Sequence, residues 1–120
     1  MSAAPHIPGR NARPPEGSIA PGLDEGLALY RAGYFWEAHE AWEPVWMKTP
    51  ADSAERALLQ GLIQIANGRL KLVMGRAKAA LRIAALAKVH LDEAEADELT
   101  DWARREVESV ERDAIADSAL

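Results

Sequence analysis

Gly33-Tyr34-Phe35-Trp36-Glu37-Ala38-His39-Glu40-Ala41-Trp42-Glu43-Pro44-Val45-Trp46 sets three carboxylates, a histidine and three tryptophans behind a glycine, and Gln60-Gly61-Leu62-Ile63-Gln64 follows a short way on. Stepping residues at about 100° places Ala38, Ala41, Trp42, Val45 and Trp46 on one side of a helix. Glu37, Glu40 and Glu43 fall on the other side, with His39 at the boundary. The pattern is that of an amphipathic helix over Phe35–Met47. Pro44 removes a donor inside it, which leaves the Glu40 carbonyl without a helical partner and predicts a bend.

Working outward, Gly33-Tyr34 reads as a tight turn, and a helix from Leu23 to about Arg31 precedes it, opened by Asp24 and Glu25 near its positive end. A third helix is expected from near residue 51, with Thr49 as cap and Pro50 at its first position, or with Asp52 capping and Glu55 three later. From Arg56 to Val73 it is apolar around half its circumference or more, as a central helix must be. Arg56, Gln60, Gln64, Asn67 and Lys71 form its one polar stripe. Gly61 and Gly68 lie beside that stripe and imply a close neighbour, since glycine inside a helix costs about 1 kcal/mol. Arg69 interrupts the apolar side: buried, it needs a carboxylate; exposed, it reaches water by its stem.

Gly75 ends the third helix. Ala77–His90 makes a fourth, with Ala79, Ala80, Ile83, Ala84, Leu86 and Ala87 as a small-residue face and Lys78, Arg82 and Lys88 outside. Asp92 or Glu93 opens a last helix through about Ala116, striped by Leu99, Trp102, Ala103, Val107 and Val110 and otherwise acidic, which could lie across the basic face of the fourth. Residues 1–22 hold five prolines and three glycines and exclude a helix. They read either as a disordered leader or as an arm docked through Ile7-Pro8-Gly9-Arg10, where a turn is bracketed by an apolar and a basic residue.

The fold class is therefore all-α: two tandem antiparallel hairpins in a compact bundle (23–91), an extended proline-rich arm (1–22) and an acidic C-terminal helix (92–120). With 120 residues there is room for one core. Cysteine is absent, which excludes disulfides, a thiol nucleophile and thiolate metal ligands. The overall charge of -5 divides into +1 for the arm, +2 for the core and -8 for the tail. That balance argues against nucleic acid. The start lacks signal-peptide character and no apolar run could span a membrane, so a cytoplasmic protein is expected.

Gly33 and Gly75 both punctuate hairpins, 42 residues apart. The first hairpin resembles a tetratricopeptide unit, with Gly33, Ala38, Trp42, Val45 and Pro50 in the places of its glycine, small, aromatic, small and proline residues. Gly75, Ala80 and Ala87 match it loosely in the second. Taken together, Gly33-Tyr34-Phe35, Glu37-Ala38-His39-Glu40, Glu43, Trp46 and Gln60-Gly61-Leu62-Ile63-Gln64 resemble the family known as domain of unknown function 309. Pro8-Gly9-Arg10 looks like that family's leader. The resemblance covers roughly residues 6 to 90; it implies a small helical domain and no particular activity.

His39, Glu40, Glu43, Trp46, Gln60, Gln64 and Arg69 are the candidate site residues. The favoured expectation is a non-enzymatic module in which His39 and Glu43 meet Gln60 or Gln64 across the hairpin interface, binding a protein segment or small ligand in the groove between hairpins. Glu43 would then be a structural carboxylate, and Glu37 part of the solvated face. No cofactor is predicted, and an oligomer is compatible with the pattern. The alternative is a metal-dependent hydrolase with His39 and Glu43 as ligands of a divalent metal and Glu40 as base. His90, His6 or another carboxylate would be its third ligand, none of them placed by spacing; as a rule, though, a histidine ending a helix face, like His90, is a core or capping group.

Overall fold

Both hairpin turns close in the same way, and the glycines are the reason. At the end of α1 (Leu23–Arg31), Gly33 adopts φ 87°, its N–H donates to the Tyr30 carbonyl at 3.0 Å, and the Tyr34 N–H donates to the Leu29 carbonyl at 2.9 Å. At the end of α3 (Ala54–Val73), Gly75 has φ 78°, and the bonds from Gly75 to Leu72 and from Arg76 to Lys71 repeat the arrangement at 3.0 and 2.8 Å. This is the Schellman ending, which satisfies the last carbonyls and needs a left-handed residue. It turns the chain into α2 (Phe35–Lys48) and α4 (Ala77–Asp92), and α5 (Glu98–Ser118) completes the bundle. The computed structural model describes residues 4–118; no strand occurs among them, and no described helix is long and apolar enough to cross a membrane.

Helix starts differ from the expectations. Ser53 caps α3, its hydroxyl accepting the Arg56 N–H at 3.1 Å, while Thr49 closes the end of α2 by donating to the Val45 carbonyl at 2.7 Å. The reason is a turn over Pro50–Ser53, which delays the helix past both Thr49 and Asp52. Likewise α4 runs on to Asp92 and α5 opens only at Glu98, with the Asp97 carboxylate accepting the Thr100 N–H at 2.8 Å. Leu91 is fully buried, and its position extends α4 two residues beyond His90.

α3 is the central helix, in contact with α2, α4 and α5. Trp42, Leu62, Ile65, Leu91, Val107 and Val110 are its largest fully buried neighbours and members. α4 meets it through Ala80, Ala84, Ala87 and Leu91, an i, i+4, i+7, i+11 stripe. Leu86 lies off that stripe and is 50% exposed, contrary to its expected place in the small-residue face. The close neighbours implied at Gly61 and Gly68 are chiefly side chains: a methyl at Gly61 would stand 2.6 Å from Leu91 Cδ2, and one at Gly68 3.3 Å from Val110 Cγ1. α5 rests on α4 and α3, and among the described residues only Lys88 of the basic face is paired to it, with Glu111 at 2.8 Å.

The arm is docked. Over residues 4–22 it has only turns and bends, yet His6 is 6% exposed, and the Arg10 N–H closes on the Ile7 carbonyl at 2.9 Å, as the turn signal suggested. Asn11 locks this turn: Oδ1 accepts the Ile7 N–H at 2.8 Å and meets His6 Nδ1 at 3.1 Å, and Nδ2 donates to the Pro5 carbonyl at 2.9 Å.

Candidate functional site

α2 presents three different environments to its three carboxylates. Glu37, near the positive end of the helix, is not solvated as the wheel implied: it is 6% exposed and lies under the arm. Its Oε2 accepts the His6 backbone N–H at 2.9 Å, and its Oε1 is buried with no hydrogen-bond partner among the described residues. Beside it the Trp36 ring takes the edge of His6, centroids 4.7 Å apart at 80°, and the Arg13 guanidinium at 5.5 Å. A lone helical wheel contains no arm, so it cannot reveal this contact. The available signal was a tryptophan on the outer side of α2, which needs cover from somewhere.

Glu40 opens into a cleft of about 450 Å³ between the arm and α2, lined also by Arg13, Pro15, Glu16, Ile19 and Trp36. Glu43 turns back onto its own helix: His39 Nε2 lies 2.8 Å from Glu43 Oε2, with the two side chains 24% and 46% exposed. Because an ionised carboxylate only accepts, the shared proton belongs to the imidazole in that bond. Among the described residues no side-chain hydrogen bond is seen between Glu43 and Gln60 or Gln64, whose half-buried side chains lie on the α3 stripe. Their expected meeting across the hairpin interface is thus replaced by a bond one turn along α2.

One ligand atom from each of His39, Glu40 and Glu43 lies within 4.8 Å of the others, the arrangement that could hold a metal ion. Glu40 is thereby a potential ligand rather than a free base. Trp46, one turn beyond Glu43, is covered by Arg56, whose guanidinium carbon is 4.4 Å from the ring centroid while Nη1 donates to the Thr49 carbonyl at 2.8 Å. The Trp46 Nε1 donor is buried without a partner among the described residues.

Arg69 belongs elsewhere. It is mostly buried and bound to α5, through Asp113 Oδ2 at 2.6 Å and the Ser109 hydroxyl. Close by, the Tyr30 hydroxyl donates to Glu106 at 2.7 Å. Burial first, then the Glu106 carboxylate, hold this phenol well above its ordinary range, and the nearby Arg69 works in the opposite sense. Burial opposes the charge of Arg69, but Asp113 and Tyr30 together outweigh it and keep the guanidinium above its usual value.

No curated protein and no solved structure matches the chain. One family model does, over residues 23–83, which takes in α1, α2, α3 and the first part of α4 and leaves out the arm and α5. That match covers just over half of the sequence, and the chain belongs to the family described as domain of unknown function, DUF309.

Proposed function

We propose that the chain is a non-enzymatic binding domain that takes a small organic cation in the cleft between the arm and α2. The carrying observation is the lining of that cleft: the Trp36 ring with Glu16 and Glu40, against one basic residue, Arg13. Arg13 already rests on Trp36 and forms no ion pair among the described residues. A guanidinium or ammonium ligand that takes the place of Arg13 on Trp36 would find an aromatic face and two carboxylates, the combination that offsets the loss of its hydration. Titration calorimetry with arginine amide tests this. Saturable binding is expected, weakened about tenfold in Glu40→Gln, which is about 1.4 kcal/mol. Absence of binding, or affinity indifferent to Glu40→Gln, overturns the reading.

The second reading, a divalent metal centre and the hydrolase it would support, is favoured by the convergence of His39, Glu40 and Glu43 within 4.8 Å. A tetrahedral ion holding donors at about 2.1 Å sets them about 3.4 Å from one another, so the 2.8 Å contact between His39 and Glu43 would have to open to admit it. The ion would also replace the proton between His39 and Glu43. Elemental analysis separates the readings: the expected result is no stoichiometric metal after purification. Zinc, iron or manganese retained at one per chain and lost in His39→Ala would transfer the assignment to the metal centre.

A further inference from the structure

On the face of the molecule built by α5 and the first hairpin, three cavities follow one another. The first, about 540 Å³, lies between α1 and α5 and is floored by Leu23, Leu27, Leu99 and Trp102. The second, about 280 Å³, shares Arg31 and Trp102 with it and adds Tyr30 and Phe35. The third, about 450 Å³, shares Phe35 and Arg69 with the second and ends on Leu72, Val73 and Ala116. The shared walls make them one groove running from Leu99 to Ala116 along α5, about 25 Å at 1.5 Å per residue. Its floor is apolar, because Leu23, Phe35, Leu72, Leu99 and Trp102 pack against the core with only part of their surface.

The rim is acidic. Asp24, Glu98 and Asp101 stand at one end, Glu106 in the middle, and Asp113 and Asp117 at the other, against Arg31, Arg69 and Arg105. Arg69 and Asp113 already neutralise each other. The half-buried ring of Trp102 carries the Arg31 guanidinium at 5.4 Å, so that surface already accepts a cation within the chain.

From this groove we infer a second binding surface, a docking site for a basic amphipathic helix of a partner protein, four to five turns long. A helix of that kind sets leucine-type residues at i, i+3, i+4 and i+7 into the apolar floor and lays lysines or arginines along the acidic rim. Charge complementarity selects it over an acidic or neutral helix, and the floor selects it over a basic chain without periodicity.

The test uses the full chain and three synthetic 18-residue peptides: a leucine-lysine amphipathic helix, the same helix with glutamate in place of lysine, and a scrambled leucine-lysine peptide. Trp fluorescence titration is expected to show binding of the first alone, with affinity falling as salt rises. Asp101→Lys and Asp117→Lys, both at exposed rim positions, are expected to weaken it tenfold or more while thermal melts stay unchanged. Equal binding of the scrambled peptide reduces the effect to bulk charge and overturns the proposal, as does an affinity untouched by either reversal. A dimer in sedimentation equilibrium that Asp101→Lys dissociates would instead assign the groove to a second copy of the chain.

Discussion

Replacing Gly26 by alanine puts helix propensity and packing in direct opposition. Propensity alone makes glycine to alanine inside a helix worth about 1 kcal/mol of added stability. At Gly26 the new methyl would overlap the indole of Trp42. That ring has nowhere to go: it is fully buried, and its Nε1 donates to the Leu23 carbonyl at 3.0 Å. Overpacking a core site costs about 1–3 kcal/mol, and a strained or broken indole bond adds about 1 kcal/mol. The net expectation is a loss of about 1–3 kcal/mol where propensity predicts a gain. Gly61→Ala meets the fully buried Leu91 at Cδ2, 2.6 Å, and Cγ, 2.9 Å, contacts longer than those at Gly26, and is expected to be destabilising by less than Gly26→Ala. Gly68→Ala needs only a few tenths of an ångström from Val110 at 3.3 Å and is expected to be neutral or stabilising. Urea unfolding of the three variants reads the order directly. A Gly26→Ala protein more stable than the parent would refute the packing argument, whatever the other two do.

Three further outcomes follow from the polar contacts. Glu37→Ala removes the acceptor of the His6 N–H, a charge-assisted bond worth about 1.5–3 kcal/mol, so exchange of the His6 amide should accelerate at least about tenfold; unchanged protection would mean the arm is held by other contacts. Arg69→Ala should destabilise by about 1–3 kcal/mol, and Arg69→Ala with Asp113→Ala should cost less than the sum, strict additivity in denaturant melts counting against the α3 to α5 tie. Asp97 is held below the ordinary carboxylate range, chiefly by the Thr100 N–H that it accepts at 2.8 Å. A depressed folded value gives stability that is present above the unfolded value and lost as pH falls through the folded one. The acid limb of melting temperature against pH should therefore flatten in Asp97→Ala, and an unchanged limb would remove Asp97 from the account.

The helices were legible because each carries its own period, and the hairpin turns because Gly33 and Gly75 supply the conformation that other residues resist. Their identical bonding is what the 42-residue echo encoded. Starts were less legible: Thr49, Asp52 and Ser53 can all cap, and the turn over Pro50–Ser53 decides among them. The partner of Glu43 was not legible in the wheel, because a side chain one turn away, His39, competes with any partner across an interface and needs no tertiary placement. Arg69 was undecided because its partners, Asp113 and Ser109, lie 44 and 40 residues further on, in a helix whose face toward α3 the periodicity of α3 does not contain. The wheel of α2 leaves Glu37 on the solvated face for the same reason, its partner being 31 residues earlier in a segment without period.

Both surfaces share one construction. The family-matched segment supplies one wall of each, Trp36 and Glu40 for the cleft, Leu27 and Phe35 for the groove, and a flank outside the match supplies the other. The flanks are held very differently. α5 buries Ala103, Val107, Val110 and Ala114 in the core, so its groove is fixed by the same contacts that hold the bundle together. Of the arm's described residues only His6 is buried, and the rest of its attachment is the Glu37 bond, the cover over Trp36 and, at its far end, the Gly22 N–H donating to the Ala41 carbonyl at 3.0 Å. Few contacts of that kind place the arm at the low-stability end of the molecule. A ligand held between Glu40 and the arm binds the docked state and not the released one, so it must stabilise docking by the free energy of its binding. Occupancy of the cleft is thereby coupled to the position of residues 4–22, whereas occupancy of the α5 groove leaves the bundle as it is.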